Sequence, residues 1–189
     1  MRAQPLYRTL TGASLAVLLM APLAAEQPAH TGSHLESRTA RPMSLQLNES
    51  SEVTEIQRLL SEGETEAAVR RARRYVDSFK LRLHVSYDEM MPARYFALNA
   101  LCVALTQFGD TEGAATACTE AIGMIPDRWS AINNRGTARF VAGRYGEALA
   151  DYRLALRVAP PERGIVETIE HNINLTVQSQ QENSLFLEP

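Results

Sequence analysis

The side chains that could carry chemistry in this 189-residue chain are two cysteines, four histidines and one dense run of arginines. His30 and His34 lie four apart, as helical metal ligands would, but Thr31, Gly32 and Ser33 between them argue against a helix there. His84 and His171 stand alone in other parts of the chain. Ser86 beside His84, or Asp88 with Glu89, would need an orienting third group or a Gly-rich anion cradle, and neither is near. No nucleophile elbow, phosphate loop, zinc spacing or dinucleotide fingerprint is present. The residues therefore point away from an enzyme, a metal and a cofactor.

The arginine run is Arg70, Arg71, Arg73 and Arg74, extended by Lys80 and Arg82. On a helix these wrap the side opposite Ala68, Ala72 and Tyr75, which reads first as a solvated outer face. The functional alternative is an anion patch for acidic polymers, lipid headgroups or an acidic protein. Asp77 and the acids Glu62, Glu64 and Glu66 dilute it. A net charge of −3 argues against general nucleic-acid binding. Membrane contact is expected to be peripheral, if there is any.

The elements that must position these groups begin with an export signal. Arg2 and Arg8 supply a positive start, Ser14–Met20 a short apolar core and Ala21–Ala25 small residues for cleavage after Ala25. A retained signal anchor is the alternative, although a span needs about 20 apolar residues. Cleavage removes two arginines and leaves a net charge of −5. Periplasmic or secreted location would place both cysteines in an oxidising compartment. Residues 26–48 read as a flexible leader, in which the apolar Met43–Leu47 could dock or simply link.

A helical domain is expected over 49–178. Val53, Ile56, Leu59 and Leu60 form one helical stripe, Gly63 breaks it, and Ala68, Ala72, Tyr75 and Phe79 line a second helix. Together they make a degenerate pair over 49–82. In 83–94 the alternation of Leu81, Leu83 and Val85 fits a connector better than an unpartnered strand, and Pro92 suits the first turn of the following helix. Helices are expected at 92–108, 111–125, 129–142 and 145–158. Gly109 and Gly143 mark the turns within pairs, and Pro126 and Pro160 end them. A solvating cap follows over 163–178, with Glu170 where a stacked repeat would need a small residue. A flexible tail takes 179–189.

Segments 95–128 and 129–162 superimpose at a shift of 34 residues through Ala97/Ala131, Asn99/Asn133, Ala104/Ala138, Gly109/Gly143, Ala114/Ala148, Ala121/Ala155 and Pro126/Pro160. Such a period reads as helix pairs stacked into a solenoid. Through Gly136, Gly143, Tyr145, Ala148, Tyr152, Ala155 and Pro160 the second segment resembles the tetratricopeptide repeat (TPR) family. The whole is similar to short exported TPR proteins of proteobacteria. The implied fold is all-α: a short solenoid of one degenerate and two good helix pairs with a capping helix.

The resemblance implies a concave groove lined by the first helix of each pair. Its candidate residues are Asn99, Val103, Thr106, Ser130, Asn133, Asn134, Thr137 and Phe140, and Asn134 matches best the family asparagine that bonds a peptide backbone. The lysine-rich clamp for C-terminal carboxylates, known in some family members, is absent. Arg135 replaces the usual leucine, a variant that goes with an acid on the facing helix, here Asp151, as a structural pair. The implied function is a non-catalytic interaction module or assembly factor whose partner is another protein or peptide. The alternatives are an envelope polyanion- or surface-binding protein using Arg70–Arg82, and an accessory subunit of an envelope enzyme.

The two cysteines are explained by register. Cys102 and Cys118 each lie eight residues from Asp110, the centre of the turn, so an antiparallel hairpin sets them at one height. The second repeat has Gly136 and Tyr152 there, a small residue facing a large one. A disulfide is expected, with two separately buried thiols as the alternative.

Overall fold

The computed structural model describes residues 50–81 and 86–185. The expected signal and leader, His84, Arg82 and the alternating Leu83–Val85 stretch lie outside them.

The chain forms α1 (Ser51–Ser61), α2 (Thr65–Ser78), a 3₁₀ turn (Phe79–Leu81), α3 (Tyr87–Phe108), α4 (Thr111–Met124), α5 (Trp129–Val141), α6 (Tyr145–Val158) and α7 (Arg163–Leu185). Ser50 starts α1 by accepting the Val53 N–H on its side-chain oxygen at 3.3 Å. Val53, Ile56 and Leu59 are buried against Ala68, Ala72, Tyr75 and Phe79 of the second helix and turn. Gly63, at φ +79°, reverses the chain in a left-handed conformation that only glycine adopts freely. There the Glu64 N–H bonds the Leu59 carbonyl and the Gly63 N–H bonds that of Leu60. The same two bonds recur from Asp110 to Leu105 and Gly109 to Thr106, and from Arg144 to Arg139 and Gly143 to Phe140. The first pair is thus the same unit as the other two.

Each helix packs antiparallel on the next, and beyond that α1, α3, α5 and α7 touch in succession. No comparable contact joins α2 to α4 or α4 to α6. The odd helices therefore form the tighter, inner layer of a curved two-layer solenoid. One core joins α1–α4 and reaches Ala138 of α5, a second joins α5–α7, and Tyr95, Leu98, Ala121 and Ala131 form a third cluster between them.

Two elements run longer than expected. α3 begins at Tyr87, so residues 87–94 are its first turns rather than connector, and Pro92 lies inside the helix. Pro92 is the sixth residue of the helix, past the first four N–H groups that have no intrahelical acceptor, so its missing N–H removes one helical bond. The helical bonds are under way by Met90, whose N–H reaches the Ser86 carbonyl at 3.2 Å. α7 continues through the expected tail to Leu185. Its last turns lack an apolar stripe but also lack Gly and Pro, and Gln178 donates to Glu182 at 2.9 Å. Glu170 is exposed, as a cap requires.

Within each of the last two pairs the helices meet closely at one level. Cys102 and Cys118 are fully buried and joined as a disulfide, with Cα atoms 5.3 Å apart. At the equivalent level a Cβ added to Gly136 would lie 2.8 Å from the Tyr152 ring. Gly136→Ala is expected to cost about 1–3 kcal/mol in urea unfolding. Gly146→Ala, which meets open space on α6, should gain up to about 1 kcal/mol; equal effects would contradict this packing. Thiol titration of denatured, unreduced protein should find none free. Reducing the bond should cost about 3 kcal/mol.

Candidate functional site on the inner helix layer

Inner helices are tied to one another by side-chain polar groups. Tyr95 on α3 is fully buried; its hydroxyl accepts the Ala131 N–H at 3.2 Å and pairs with the Ser130 hydroxyl at 2.7 Å. Burial raises the phenol pKa above its ordinary value, so the hydroxyl keeps its proton. Four residues further along α5, the Asn134 amide donates to Asn99 Oδ1 at 3.0 Å. Both asparagines are half-buried on the face where α3 and α5 meet.

The eight groove candidates separate into two groups. Asn99, Val103, Ser130, Asn134 and Phe140 keep part of their surface in solvent. Thr106 is buried and donates to the Cys102 carbonyl at 2.9 Å. Thr137, 2% exposed, donates to the Asn133 carbonyl and accepts from Tyr152 at 3.1 Å. Burial pushes the Tyr152 phenol up to about 12. Asn133, 4% exposed, accepts on Oδ1 from Asn172 of α7 at 3.0 Å. These three side chains face neighbouring structure: Thr106 its own helix, Thr137 the Tyr152 hydroxyl of α6, and Asn133 the docked α7. Asn172 is itself buried, and its Oδ1 has no hydrogen-bond partner among the described residues. Phe140 packs against Tyr145 with the rings tilted and their centroids 5.6 Å apart, which further limits what it offers a ligand.

On the other side of α5 a charge network fixes the helix. Arg135 grips Asp151 in a fork, Nε to Oδ2 at 3.0 Å and Nη2 to Oδ1 at 2.7 Å, and also reaches Thr119 on α4 at 3.2 Å. The pair is enclosed, with side-chain exposures of 16% and 4%. Arg139, not anticipated from sequence, adds a second cation to Asp151 at 2.7 Å. Its four-residue spacing from Arg135 on one helix face is the signal that could have shown it. Glu147 lies 3.6 Å from Arg139 and bonds Arg144. The Arg144 bond holds its carboxyl below the usual range.

The basic run of α2 is largely matched by acids. Arg70 pairs with Glu66, Arg71 with Glu52 of α1, Arg73 with Asp110 at 3.8 Å and Lys80 with Asp77. Arg74 has no ion-pair partner among the described residues; it lines a 370 Å³ surface cleft with Glu52, Arg71, Tyr75 and Ser78.

No family model matches this sequence, and no curated protein matches it. Among solved structures it is similar to a TPR-like protein from Chlorobium tepidum, at TM-score 0.56 and 18% identity, covering 73% of this chain and 95% of that one. It is also similar to the C. elegans myosin chaperone UNC-45, solved in complex with an Hsp90 peptide, at TM-score 0.51 and 24% identity over 72% of this chain. This chain spans only 14% of that chaperone. The TPR domain of P58(IPK) matches at TM-score 0.50 and 22% identity, over 69% of this chain and 34% of that one. The fold is that of a TPR-like helical solenoid.

Asp151→Ala leaves two guanidinium groups without their shared carboxylate. A loss of about 3–5 kcal/mol is expected from chemical denaturation, the range for breaking a buried pair. A change within about 0.5 kcal/mol would be that of a surface substitution and would contradict the enclosed geometry.

Proposed function

We propose that this chain is a non-catalytic interaction module that holds a segment of another polypeptide against the inner face of α3 and α5. The observation that carries this reading is the half-buried Asn99–Asn134 pair on the tighter helix layer. It is a fixed polar centre where neighbouring candidates are consumed internally. The similarity to a solenoid solved with a bound peptide supports it. The ion pairs along α2 leave less free charge for the alternative role in binding envelope polyanions.

The finer reading is an exported protein that acts in the periplasm as a binding or assembly factor. It rests on Arg2, Arg8, the Ser14–Met20 core and the small residues up to Ala25. N-terminal sequencing of the periplasmic or secreted product is expected to start at or within a few residues of Glu26. Intact Met1 in the membrane fraction would establish an anchor instead.

Binding itself is tested by Asn134→Ala in pull-downs from the envelope of the exporting cell. Partner recovery should fall, with each lost neutral hydrogen bond worth about 0.5–1.5 kcal/mol. Retention should change little with salt, since no ion pair is involved. Undiminished recovery would move the site off this face.

A further inference from the structure

Along α2 and the 3₁₀ turn after it, Arg70, Arg71, Arg73 and Lys80 each have a carboxylate within ion-pair distance. Arg74 has none among the described residues. A polyanion would need a row of open cations, and this face offers one that nothing neutralises. Its place is specific, because Arg74 does not stand on open convex surface. With Arg71, Tyr75 and Ser78 it makes the i, i+3, i+4, i+7 stripe of α2. Glu52, in the first turn of α1, lies against that stripe and completes the 370 Å³ cleft.

The polar groups of the cleft are only partly spent. Tyr75 is 9% exposed, with its ring in the core shared by α1 and α2. A buried tyrosine ordinarily gives its hydroxyl a partner. The Tyr75 hydroxyl has none among the described residues and is not enclosed, so the part of the side chain left in solvent is its polar tip. Arg71 uses Nε and Nη2 on the two oxygens of Glu52, at 2.9 and 3.3 Å, and keeps Nη1. Ser78 donates its proton to the Tyr75 carbonyl at 2.7 Å, which leaves its oxygen as an acceptor. Donors are therefore left on Arg74, Arg71 and Tyr75, and acceptors on Ser78 and Glu52. Two guanidinium groups against one carboxylate leave one net positive charge.

A carboxylate or a phosphate diester would occupy the donors but bring no proton to the acceptors. A terminal phosphate carries both: oxygens to accept, and one O–H while it is singly ionised, as it is below its second pKa of about 6. We infer that the α1–α2 cleft binds a terminal phosphate group, free or as a monoester. Its charged oxygens face Arg74, the open Nη1 of Arg71 and the Tyr75 hydroxyl, and its O–H is given to Ser78. The cleft shares no residue with the inner face of α3 and α5, so the two sites stand or fall separately.

The test is a titration of the full chain, followed by backbone amide NMR near pH 6, with inorganic phosphate, methyl phosphate, dimethyl phosphate and acetate at equal ionic strength. Phosphate and methyl phosphate should give saturable shifts around residues 52, 71, 74, 75 and 78, and the other two should bind several-fold more weakly. Arg74→Gln should weaken phosphate about tenfold or more, the range for a hydrogen bond to a charged group. Arg157→Gln removes an equal charge from an exposed position on α6 and should leave binding unchanged. Tyr75→Phe should weaken every anion, whereas Ser78→Ala should erase the preference for methyl over dimethyl phosphate. Vesicles containing phosphatidic acid distinguish the sources: retention that inorganic phosphate competes away assigns the group to a lipid, and NMR binding without retention assigns it to a soluble phosphate. Absence of saturable shifts at the cleft, equal effects of Arg74→Gln and Arg157→Gln, or dimethyl phosphate and acetate binding as well as phosphate would each overturn the inference. The inner-face function would stand in all three cases.

Discussion

The contact on which the rest of the structure depends is the close approach of the two helices within each of the last two pairs. It is made twice by different means: a covalent bond between Cys102 and Cys118, and a glycine, Gly136, lying under the ring of Tyr152. A small residue on the odd helix lets the even helix come near, and the burial of Tyr152 and Ile132 then adds about 1.5–3 kcal/mol for each large side chain. With the pairs closed this way, the odd helices also touch one another, and the solenoid curves around them. The disulfide constrains the pair that sits between the other two, where loosening would reach both neighbours.

The same geometry divides the polar side chains of α5 between two tasks. Arg135 and Arg139 point toward α6 and fasten on Asp151, which removes their charge from the inner face. Asn133 turns to α7 and is covered. Asn134, the next residue, turns to α3 and stays partly in water. A rotation of about 100° between consecutive helical residues thus separates a capping asparagine from one that remains accessible.

Much of this was legible in the sequence because it is carried by local pattern. The 34-residue repeat of small residues gave the helix pairs, Gly63, Gly109 and Gly143 gave their turns, and counting from Asp110 placed the cysteines opposite each other. What escaped depends on longer range or on weak signals. The start of α3 was obscured by Pro92, which reads as a boundary although the helix begins at Tyr87 and runs through it. The last turns of α7 have helix-forming residues but no apolar stripe. Burial of Asn133 is set by how α7 docks, which no spacing within the repeat reports. The arginines of α2 look like a free patch in sequence, yet Glu52 and Asp110 reach them from a different helix and a different pair.

The measurement closest to the central claim is site-directed photo-crosslinking from the two layers. One crosslinking side chain replaces Gln107 on α3, one turn past Val103, and another replaces Arg153, which is exposed on α6. With the same partner preparation, the inner position should give the crosslinked product, and Asn134→Ala should suppress it. Crosslinking from position 153 alone, unaffected by Asn134→Ala, would place the working surface on the outer layer and contradict the account.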